Sequence, residues 1–527
     1  NLYSICLTII ALTDYFVTHF RGNAVVLMDI FNIGTAAKVS EHYDFSIPIK
    51  IGLCLLGVLI YILYQKLFQT IEIRGGRKKR YAIKSFSLLT GVGMILKCGT
   101  QFKADGLNMW DIAGEYAESG MIYKMACQFQ YLKVEKPIDY SVKQVKQILS
   151  TSEEKNNKKV TPNNLIVIMN ESLVDFEEFE NLKSTTEILP TIHSLQENTQ
   201  KGYLYVPSFG GGTADTEYEV LTGNSKQFLP NGGNAYQLYC HDPEYGITNI
   251  LKKEGYLTTA VHPYYSSSWN RSQVYSEMNF SRFISFENWD DDYEYTRCYI
   301  SDNCVYQKIE HLYEANSDKK QFMFCVTMQN HGGYDIESDF ETDVSLTYEE
   351  EYPQAETYLS LAKQSDTSFN ELIKYFSEVE EPTMIVMYGD HWPNLEWGFF
   401  CELFKQDFGN MDMESNMRKY RTPYVIWTNY PSESSEEDMS ANYFGSYILE
   451  QAGLGLTEYN KFLLNLKKKI PVVGVGAICD ANGEWYSMDS LPEEYDKLIE
   501  QYKIVQYNNV VDRKHRIDEA FQIAGNE

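Results

Sequence analysis

Five runs of consecutive apolar residues in the middle of the chain predict buried strands. They occupy residues 164–170, 202–206, 258–261, 321–328 and 383–388. Stretches with helical periodicity lie between them, for example residues 190–199, 246–254 and 357–376. Strands that alternate with helices are typical of an α/β domain with a largely parallel sheet flanked by helices. Because such sheets bind ligands at the carboxyl ends of their strands, the residues that follow each run are the first candidates for chemistry.

The first hundred residues show a different pattern, with three apolar segments at residues 2–17, 51–64 and 85–96. Each is shorter than the roughly 20 residues that a helix needs to cross a bilayer, and each alone also fits a buried core helix. A basic run, Arg74 with residues 77–80, separates the second and third segments and is typical of a cytoplasmic loop. Together they predict a multi-pass protein of the cell membrane, with everything after about residue 100 outside the cell. The sequence begins at Asn1 inside an apolar segment, so we expect a fragment or processed chain that lacks upstream segments.

These patterns divide the chain into four expected parts. Residues 1–100 form the transmembrane region, and residues 101–160 form a helical linker with helices near 111–123 and 141–149, the latter capped by Ser141. Residues 161–435 form the catalytic α/β domain. An acidic stretch, SESSEED, then marks the boundary to a C-terminal subdomain at residues 436–527, with a helix near 441–452 and a polar helical tail.

Composition excludes some classes of partner and cofactor. The formal net charge of −27 argues against a nucleic-acid partner, because binding to phosphate backbones requires clustered Lys and Arg. The ten cysteines show no CxxC spacing, so neither a zinc ribbon nor a thioredoxin-like motif is present. Cys298 and Cys304 are close enough in sequence to pair, and the sequence does not decide whether they do.

A glycine-rich stretch at residues 208–223, SFGGGTADTEYEVLTG, offers a candidate nucleophile. Three glycines lead into Thr213, and the residues after it resemble the first turn of a helix. Glycine backbone can approach a ligand closely, and a helix N-terminus favours an anion beside it. The Thr213 hydroxyl is therefore suited to attack or hold a phosphate-like group. The alternative is an ordinary turn in which Thr213 only caps the helix.

Three further candidates follow the predicted strands. Glu171 follows the first run, and Asp390 and His391 follow the last. With Thr213 they form a mixed oxygen and nitrogen ligand set that suits Mn²⁺, Mg²⁺ or Zn²⁺. Such a metal would lower the pKa of the Thr213 hydroxyl. The alternatives are a helix cap or ion-pair partner for each acidic residue and a structural role for the histidine.

A second group of candidates suits a bound phosphate. Arg271 in SSSWNR is a residue type that binds phosphate with two hydrogen bonds, and Trp269 lies beside it. His331 follows a predicted strand and can act as a general acid, and His262 ends another strand. The alternatives are packing for Trp269 and a surface ion pair for Arg271.

Five motifs in order, NLIVIMNES, GGGTADTEYEVLTG, HPYYSSSWNR, QNHGGYD and MYGDHW, resemble the lipoteichoic acid synthase family. These are sulfatase-like phosphoglycerol transferases of the alkaline-phosphatase superfamily, and the resemblance covers essentially the whole chain. It implies an alkaline-phosphatase-like fold after N-terminal transmembrane helices, and a site for one divalent metal, usually Mn²⁺, at Glu171, Thr213, Asp390 and His391. It also implies that Thr213 is the nucleophile and that Trp269, Arg271 and His331 hold the glycerophosphate. His262 is a candidate for the same pocket only from its position at the end of a strand.

The resemblance further implies a donor, an acceptor and a mechanism. Thr213 would attack the phosphorus of phosphatidylglycerol, diacylglycerol would leave the membrane lipid, and a polyglycerolphosphate or glycolipid acceptor would take the glycerophosphate. Two alternatives remain open at this point: transfer to another surface glycan or primer, and a catalytically silent protein that binds lipid or polymer. The sequence contains no Cys/Ser-x-Pro-x-Arg motif, which disfavours a formylglycine sulfatase.

Overall fold

A computed structural model describes residues 2–21, 48–67, 112–128, 133–150 and 159–523, with short gaps at 231–233, 241–242, 290–291 and 336–337, and a few isolated positions between 24 and 93. The chain divides into two compact units. One comprises residues 1–134 and 230–233, and the other comprises residues 135–229 and 234–527. Each unit is described by itself.

The smaller unit consists of helices in its described part. They are α1 (Leu2–Arg21), α2 (Ile49–Leu67), α3 (Ile112–Ser119) and α4 (Met121–Cys127). The helix expected at 111–123 is interrupted at Gly120, whose φ of 89° lies in the left-handed region that favours glycine.

The first two apolar segments of the sequence lie in α1 and α2. Among the described residues, one stretch, Ile49–Lys66, is long and apolar enough to cross a membrane, and a shorter apolar helical stretch covers Ser4–Phe16. The basic run at 74–80 lies outside the described residues, and the segment at 85–96 is described only at isolated positions. The multi-pass topology therefore stays a prediction.

A sheet of mainly parallel strands forms the centre of the larger unit. Its strand order is β10-β2-β9-β8-β1-β7-β3-β4, with β11 also paired to β2. The strands are β1 (Asn164–Asn170), β2 (Thr199–Tyr205), β3 (Leu257–Val261), β4 (Arg282–Ile284), β7 (Gln321–Val326), β8 (Thr383–Gly389), β9 (Arg421–Thr428), β10 (Ser435–Glu436) and β11 (Met439–Ser440). Two short strands, β5 (Tyr295–Thr296) and β6 (Tyr299–Ile300), form a separate hairpin. All described pairings of the main sheet are parallel except those of β9, so the prediction of a largely parallel sheet is confirmed.

Helices flank this sheet and connect its strands. They are α5 (Val142–Leu149), α6 (Pro190–Ser194), α7 (Thr213–Thr222), α8 (Ala235–Leu238), α9 (Ile247–Lys253), α10 (Arg271–Glu277), α11 (Asp302–Glu314), α12 (Pro353–Ser377), α13 (Trp397–Phe404), α14 (Met413–Arg418), α15 (Ala441–Gln451), α16 (Glu458–Lys467) and α17 (Glu493–Val510). Short 3₁₀ turns occupy Phe176–Glu178, Lys226–Phe228, Ser268–Asn270, Phe286–Asn288, Arg513–His515 and Asp518–Ala520. Ser141 caps α5 as expected, because its side chain accepts a hydrogen bond from the Gln144 amide.

The burial of the central strands explains why they appear in the sequence as continuous apolar runs. Every residue of β1, β7 and β8 is buried, because helices cover both faces of the sheet. The strand β9, which lies between β2 and β8 and carries Pro423, was not predicted from the sequence. A proline removes one backbone donor and weakens the appearance of a central strand, although the segment is almost entirely buried.

The C-terminal residues contribute to the same sheet and to a smaller one. The acidic stretch at 432–438 supplies β10, and β11 follows it directly. A second sheet contains β12 (Val472–Val473), β13 (Ala477–Cys479) and β14 (Trp485–Ser487). The boundaries expected at 160/161 and 435/436 stay predictions. Cys298 is exposed and Cys304 is buried, and both are free thiols in the structure.

Candidate active site

The ends of β1 and β8 bring three candidate ligands together. The parallel register sets Asn170 opposite Gly389, so the next residues, Glu171 and Asp390, leave the sheet side by side. His391 follows Asp390. One ligand atom from each of these three buried residues lies within 4.8 Å of the others. The structure therefore brings together the three residues that follow β1 and β8, and their role as metal ligands stays a prediction.

Backbone hydrogen bonds fix the Asp390 carboxylate. Its Oδ1 accepts hydrogen bonds from the amides of Ser172 at 2.7 Å and His391 at 2.9 Å. Ser172 adopts a left-handed φ of 52°, which is unusual for a residue with a Cβ and aims its amide at this oxygen. The other oxygen, Oδ2, is buried without a hydrogen-bond donor. A buried carboxylate oxygen in this state is costly unless a cation binds it.

The His391 ring presents a second acceptor to the same point. Its Nδ1 lies 2.9 Å from the Trp392 carbonyl oxygen, which can only accept, so we assign the ring proton to Nδ1. Nε2 then carries a lone pair and lies 3.2 Å from Asp390 Oδ2 and 3.7 Å from Glu171 Oε1. A carbonyl that fixes the opposite ring nitrogen is the usual arrangement of a metal-binding histidine.

Glu171 completes the cluster as a deeply buried carboxylate. Its Oε1 accepts a hydrogen bond from the Ser172 hydroxyl at 3.0 Å. Burial raises the pKa of Glu171 well above its usual range, and the neighbouring Asp390 carboxylate adds to the rise. Two carboxylates and an imidazole lone pair thus converge at a point where no described lysine or arginine forms an ion pair with them, although the Arg271 charge nearby counteracts part of the rise in the Glu171 pKa. These residues fit a divalent cation with oxygen and nitrogen ligands.

Thr213 faces this cluster from the start of α7. The three preceding glycines have φ values of 71°, 145° and 103°, which residues with a Cβ rarely adopt. Gly212, not Thr213, is the capping residue, so the interpretation of Thr213 as a simple cap is wrong. The Thr213 Oγ1 lies 3.4 Å from His391 Nε2. One turn later, the Thr216 hydroxyl donates to the Asp390 carbonyl at 2.7 Å and holds α7 against the end of β8.

Arg271 lies beside this cluster in a buried network, so the alternative of a surface ion pair is wrong. Its Nε donates to Glu217 Oε1 at 3.0 Å, and its NH2 group also binds this carboxylate. Its NH1 group lies 3.0 Å from Nε2 of His262, whose Nδ1 lies 3.0 Å from the Val326 carbonyl oxygen. These contacts assign a neutral His262 that accepts from Arg271. Burial, reinforced by the Arg271 charge, lowers the pKa of His262 well below its usual value.

The two remaining candidates occupy loops at the same end of the sheet. Trp269 and Asn270, just before Arg271, have left-handed φ values of 56° and 60°, a strained turn typical of functional sites. The Trp269 side chain is half-buried. His331 follows β7, and its Nδ1 lies 3.1 Å from the Tyr299 hydroxyl. Although the residue is exposed as a whole, desolvation of the ring lowers its pKa, while Asp390 acts in the opposite direction.

The comparison with known protein families agrees with this architecture. The sequence model of the sulfatase family matches residues 163–454, which include both ligand-bearing strand ends and the glycine loop. The chain belongs to the sulfatase family. The fold is that of the alkaline-phosphatase superfamily, so the resemblance to its phosphoglycerol transferases and the expected fold class are confirmed. Sulfatase-family proteins of this superfamily are enzymes that generally bind a divalent metal.

Three relatives illustrate the match. A putative cyclic β-1,2-glucan modification protein of Rhizobium meliloti is 27% identical over 79% of this chain, and the match spans 65% of that protein. The chain thus spans less than two thirds of this relative's length. The solved phosphoglycerol transferase GacH of Streptococcus pyogenes, in complex with sn-glycerol-1-phosphate, is 23% identical with a TM-score of 0.61, covering 74% of this chain and 100% of that one. The lipoteichoic acid synthase LtaP of Listeria monocytogenes is 18% identical with a TM-score of 0.50, covering 71% and 98%. At these identities the two structures show the shared fold.

The sulfatase-family domain contains a second cluster with similar residue types, but the hydrogen bonds of its carboxylates and the protonation of its histidine are different. Asp175 Oδ2 accepts hydrogen bonds from the Tyr203 hydroxyl at 3.1 Å and from His193 Nε2 at 3.0 Å. The Asp175 carboxylate raises the pKa of His193 to about 9. His193 therefore favours its protonated form at neutral pH, and its ring must lose a proton before it can bind a metal. The carboxylates here, including Glu177, already have protein donors.

Sequence reasoning missed two residues of the site. Glu217 holds the Arg271 guanidinium and also accepts hydrogen bonds from the hydroxyls of Tyr236 at 3.1 Å and Tyr275 at 2.6 Å. Ser172 connects Glu171 to Asp390. Glu217 lies four residues after Thr213, one helical turn along α7, and that spacing was the available signal.

Proposed function

We propose that this protein is a metal-dependent phosphoglycerol transferase with Thr213 as its nucleophile. The donor is phosphatidylglycerol, and the acceptor belongs to one of two classes, a growing polyglycerolphosphate chain of the lipoteichoic acid type or a surface glycan. The observation that carries the proposal is the convergence of Glu171, Asp390 and His391, with an unsatisfied Oδ2 on Asp390 and the Thr213 hydroxyl 3.4 Å from His391 Nε2.

Glu171, Asp390, His391 and Thr213 would hold one divalent cation, Mn²⁺ in our proposal, with Mg²⁺ and Zn²⁺ as alternatives. When bound, such a cation lowers the pKa of the threonine hydroxyl and neutralises charge on the phosphate. The helix N-terminus of α7 directs its amides toward the same anion. Thr213 supplies the oxygen that attacks phosphorus.

The neighbouring residues hold and protonate the substrate. Arg271 retains two N–H groups beyond those that bind Glu217 and His262, and they suit phosphoryl oxygens. His262 keeps the guanidinium in place from the opposite side. Trp269 packs against the glycerol moiety, and His331 passes a proton between its ring and the leaving or attacking hydroxyl.

The reaction proceeds in two displacements. A bond forms between Thr213 Oγ1 and phosphorus, the bond from phosphorus to the diacylglycerol oxygen breaks, and diacylglycerol leaves with a proton. An acceptor hydroxyl then attacks the same phosphorus. The Thr213–phosphorus bond breaks, and the proton of the acceptor hydroxyl passes to the enzyme. The sum is the transfer of one glycerophosphate with no net change in the enzyme.

The membrane supplies the donor in this proposal. The apolar helix Ile49–Lys66 supports membrane attachment, and we propose a multi-pass protein whose catalytic domain lies outside the cell. The second acceptor class, a surface glycan, is supported by the similarity of 79% of the chain to the putative cyclic β-1,2-glucan modification protein of Rhizobium meliloti.

Intact-mass measurement after incubation with phosphatidylglycerol and Mn²⁺ tests the proposal. We expect the wild type to gain one glycerophosphoryl group, which peptide mapping locates on Thr213. The Thr213→Ala variant should gain nothing, and Thr213→Ser, which keeps a hydroxyl, should still be labelled. Diacylglycerol release by Thr213→Ala, or a wild type that binds lipid without any adduct, would contradict the proposal; the second result would favour a silent binding protein.

A further inference from the structure

A continuous chain of aromatic rings leads away from the candidate active site. We call it the tyrosine strip and define it as Tyr264, Tyr265, Phe286, Tyr293 and Tyr295. Successive ring centroids are 5.1, 5.4, 6.2 and 5.3 Å apart. All four contacts are edge-to-face, so the rings support one another.

The outer part of the strip is open to solvent. Tyr265 is 48% exposed, Tyr293 38% and Tyr295 52%. Tyr295 also lines an open pocket of about 740 Å³, together with Asp339 and Glu341. Exposed aromatic rings gathered in one place are uncommon on a soluble surface and indicate a binding site.

The inner part of the strip joins the groups that we expect to hold glycerophosphate. The Tyr264 ring centroid lies 6.3 Å from that of His262 and 6.1 Å from that of Tyr299. Tyr299 in turn contacts His331, with ring centroids 5.3 Å apart. A molecule lying on the strip would therefore bring one end to the point where a phosphoryl group is transferred.

The charges around the strip select among acceptors. The described charged side chains between 286 and 299 are Glu287, Asp292, Glu294 and Arg297. Arg297 donates to the carbonyls of the His331 loop, which it holds in place. The surface is thus acidic on balance and repels a polyanion such as polyglycerolphosphate. Carboxylates and tyrosine hydroxyls suit the many hydroxyl groups of a neutral sugar, and aromatic rings suit its apolar C–H faces.

We propose that the tyrosine strip is the acceptor subsite of this enzyme and binds a neutral saccharide chain. A hydroxyl of the sugar nearest His331 receives the glycerophosphate from Thr213. This inference rests on the proposed function for its chemistry, while the binding itself can be measured separately.

The first test is equilibrium binding to the full-length protein by titration calorimetry. The probes are three neutral oligosaccharides, cyclic β-1,2-glucan, maltohexaose and cellohexaose, together with polyglycerolphosphate and phosphatidylglycerol vesicles. We expect the wild type to bind at least one neutral oligosaccharide, and the double variant Tyr265→Ala/Tyr293→Ala to bind it about tenfold more weakly or worse, as expected when central aromatic contacts are removed. Trp397→Ala, which removes an equally exposed aromatic ring outside the strip (56% exposed), is the matched control and should bind like wild type.

The second test measures transfer to the oligosaccharide that binds. We expect the double variant to raise KM for the saccharide by about tenfold with a smaller change in kcat, because the strip contacts the substrate away from the reacting atoms. Equal binding by wild type and double variant, no binding of any neutral oligosaccharide, or polyglycerolphosphate as the ligand that the double variant loses would each overturn the inference. A wild type that forms no adduct on Thr213 would instead refute the proposed function. The binding measurement would still show whether the tyrosine strip binds a neutral saccharide.

Discussion

Among the described residues of the larger unit, two clusters combine two carboxylates with one histidine, and the hydrogen bonds of one of them fit a metal better. The first contains Glu171, Asp390 and His391, and the second contains Asp175, Glu177 and His193. In the first, a buried carboxylate oxygen lacks any hydrogen-bond donor, and the histidine directs a lone pair at it. In the second, a protonated His193 and a tyrosine hydroxyl already satisfy Asp175. The difference shows that unsatisfied buried acceptors, rather than residue types, identify a cation site.

The largest expected difference between the two clusters is the effect of removing the candidate nucleophile, Thr213. Replacing Thr213 with Ala should reduce diacylglycerol release from phosphatidylglycerol by about 10³-fold or more, because the attacking oxygen is removed. The matched variant at the second cluster, Tyr203→Phe, removes a hydroxyl that faces Asp175 and should retain activity within about threefold. Comparable losses in both variants would show that the two clusters do not differ in the way described.

Removing the partner of Arg271 should have the next largest effect. Glu217→Gln leaves a buried guanidinium without its carboxylate, and breaking such a pair costs about 3–5 kcal/mol of folding stability. Denaturant unfolding measures this loss. Glu177→Gln at the better-solvated second cluster is the control and should cost about 1 kcal/mol or less. Equal losses of folding stability in Glu217→Gln and Glu177→Gln would mean that the deeper burial of the Arg271–Glu217 pair does not distinguish it from the second cluster.

Removal of the cation by a chelator should distinguish the two clusters through its effect on the stability of the folded protein. A cation present at about 100 times its dissociation constant stabilises the folded state by about 2.7 kcal/mol, so chelation should lower the Tm of the wild type. Asp175→Asn should show the same drop on chelation, whereas Asp390→Asn should show almost none. A chelator effect that survives in Asp390→Asn and disappears in Asp175→Asn would reverse the assignment.

The smallest expected effect is a pH dependence at His193. Its pKa is raised from 6.5 to about 9 in the folded protein, so its contribution to stability is complete below about pH 6.5 and is lost as the pH rises through about 9. We expect the Tm advantage of the wild type over His193→Gln to shrink across this range. Because 35% of the His193 side chain is exposed, the change should be small. The dependence should weaken in an Asp175→Asn background, where Glu177 and Glu187 still face the ring; an unchanged dependence there would place its origin elsewhere.

A feature of this protein could be predicted from the sequence when a local pattern determines it, and could not when it arises only from the folded chain. Glu171 and Asp390 were found because β1 and β8 are continuous apolar runs whose ends are easy to read, and parallel register then brings them together. The strand β9 was missed although residues 424–428, YVIWT, are β-branched and aromatic types that strands favour, because the proline just before them weakens the appearance of a central strand. Glu217 resembles an ordinary helical glutamate until Arg271, 54 residues later, is placed against it. The tyrosine strip likewise exists only once separate loops have folded onto one another.

Direct Mn²⁺ binding tests the central claim most plainly. Titration of the metal-free wild type, Asp390→Asn and Asp175→Asn proteins, followed by calorimetry or electron paramagnetic resonance, counts the sites and assigns them. We predict that the wild type and Asp175→Asn bind one Mn²⁺ per chain with equal affinity and that Asp390→Asn binds none at the same concentration. Undiminished binding by Asp390→Asn, or its loss in Asp175→Asn, would contradict the account.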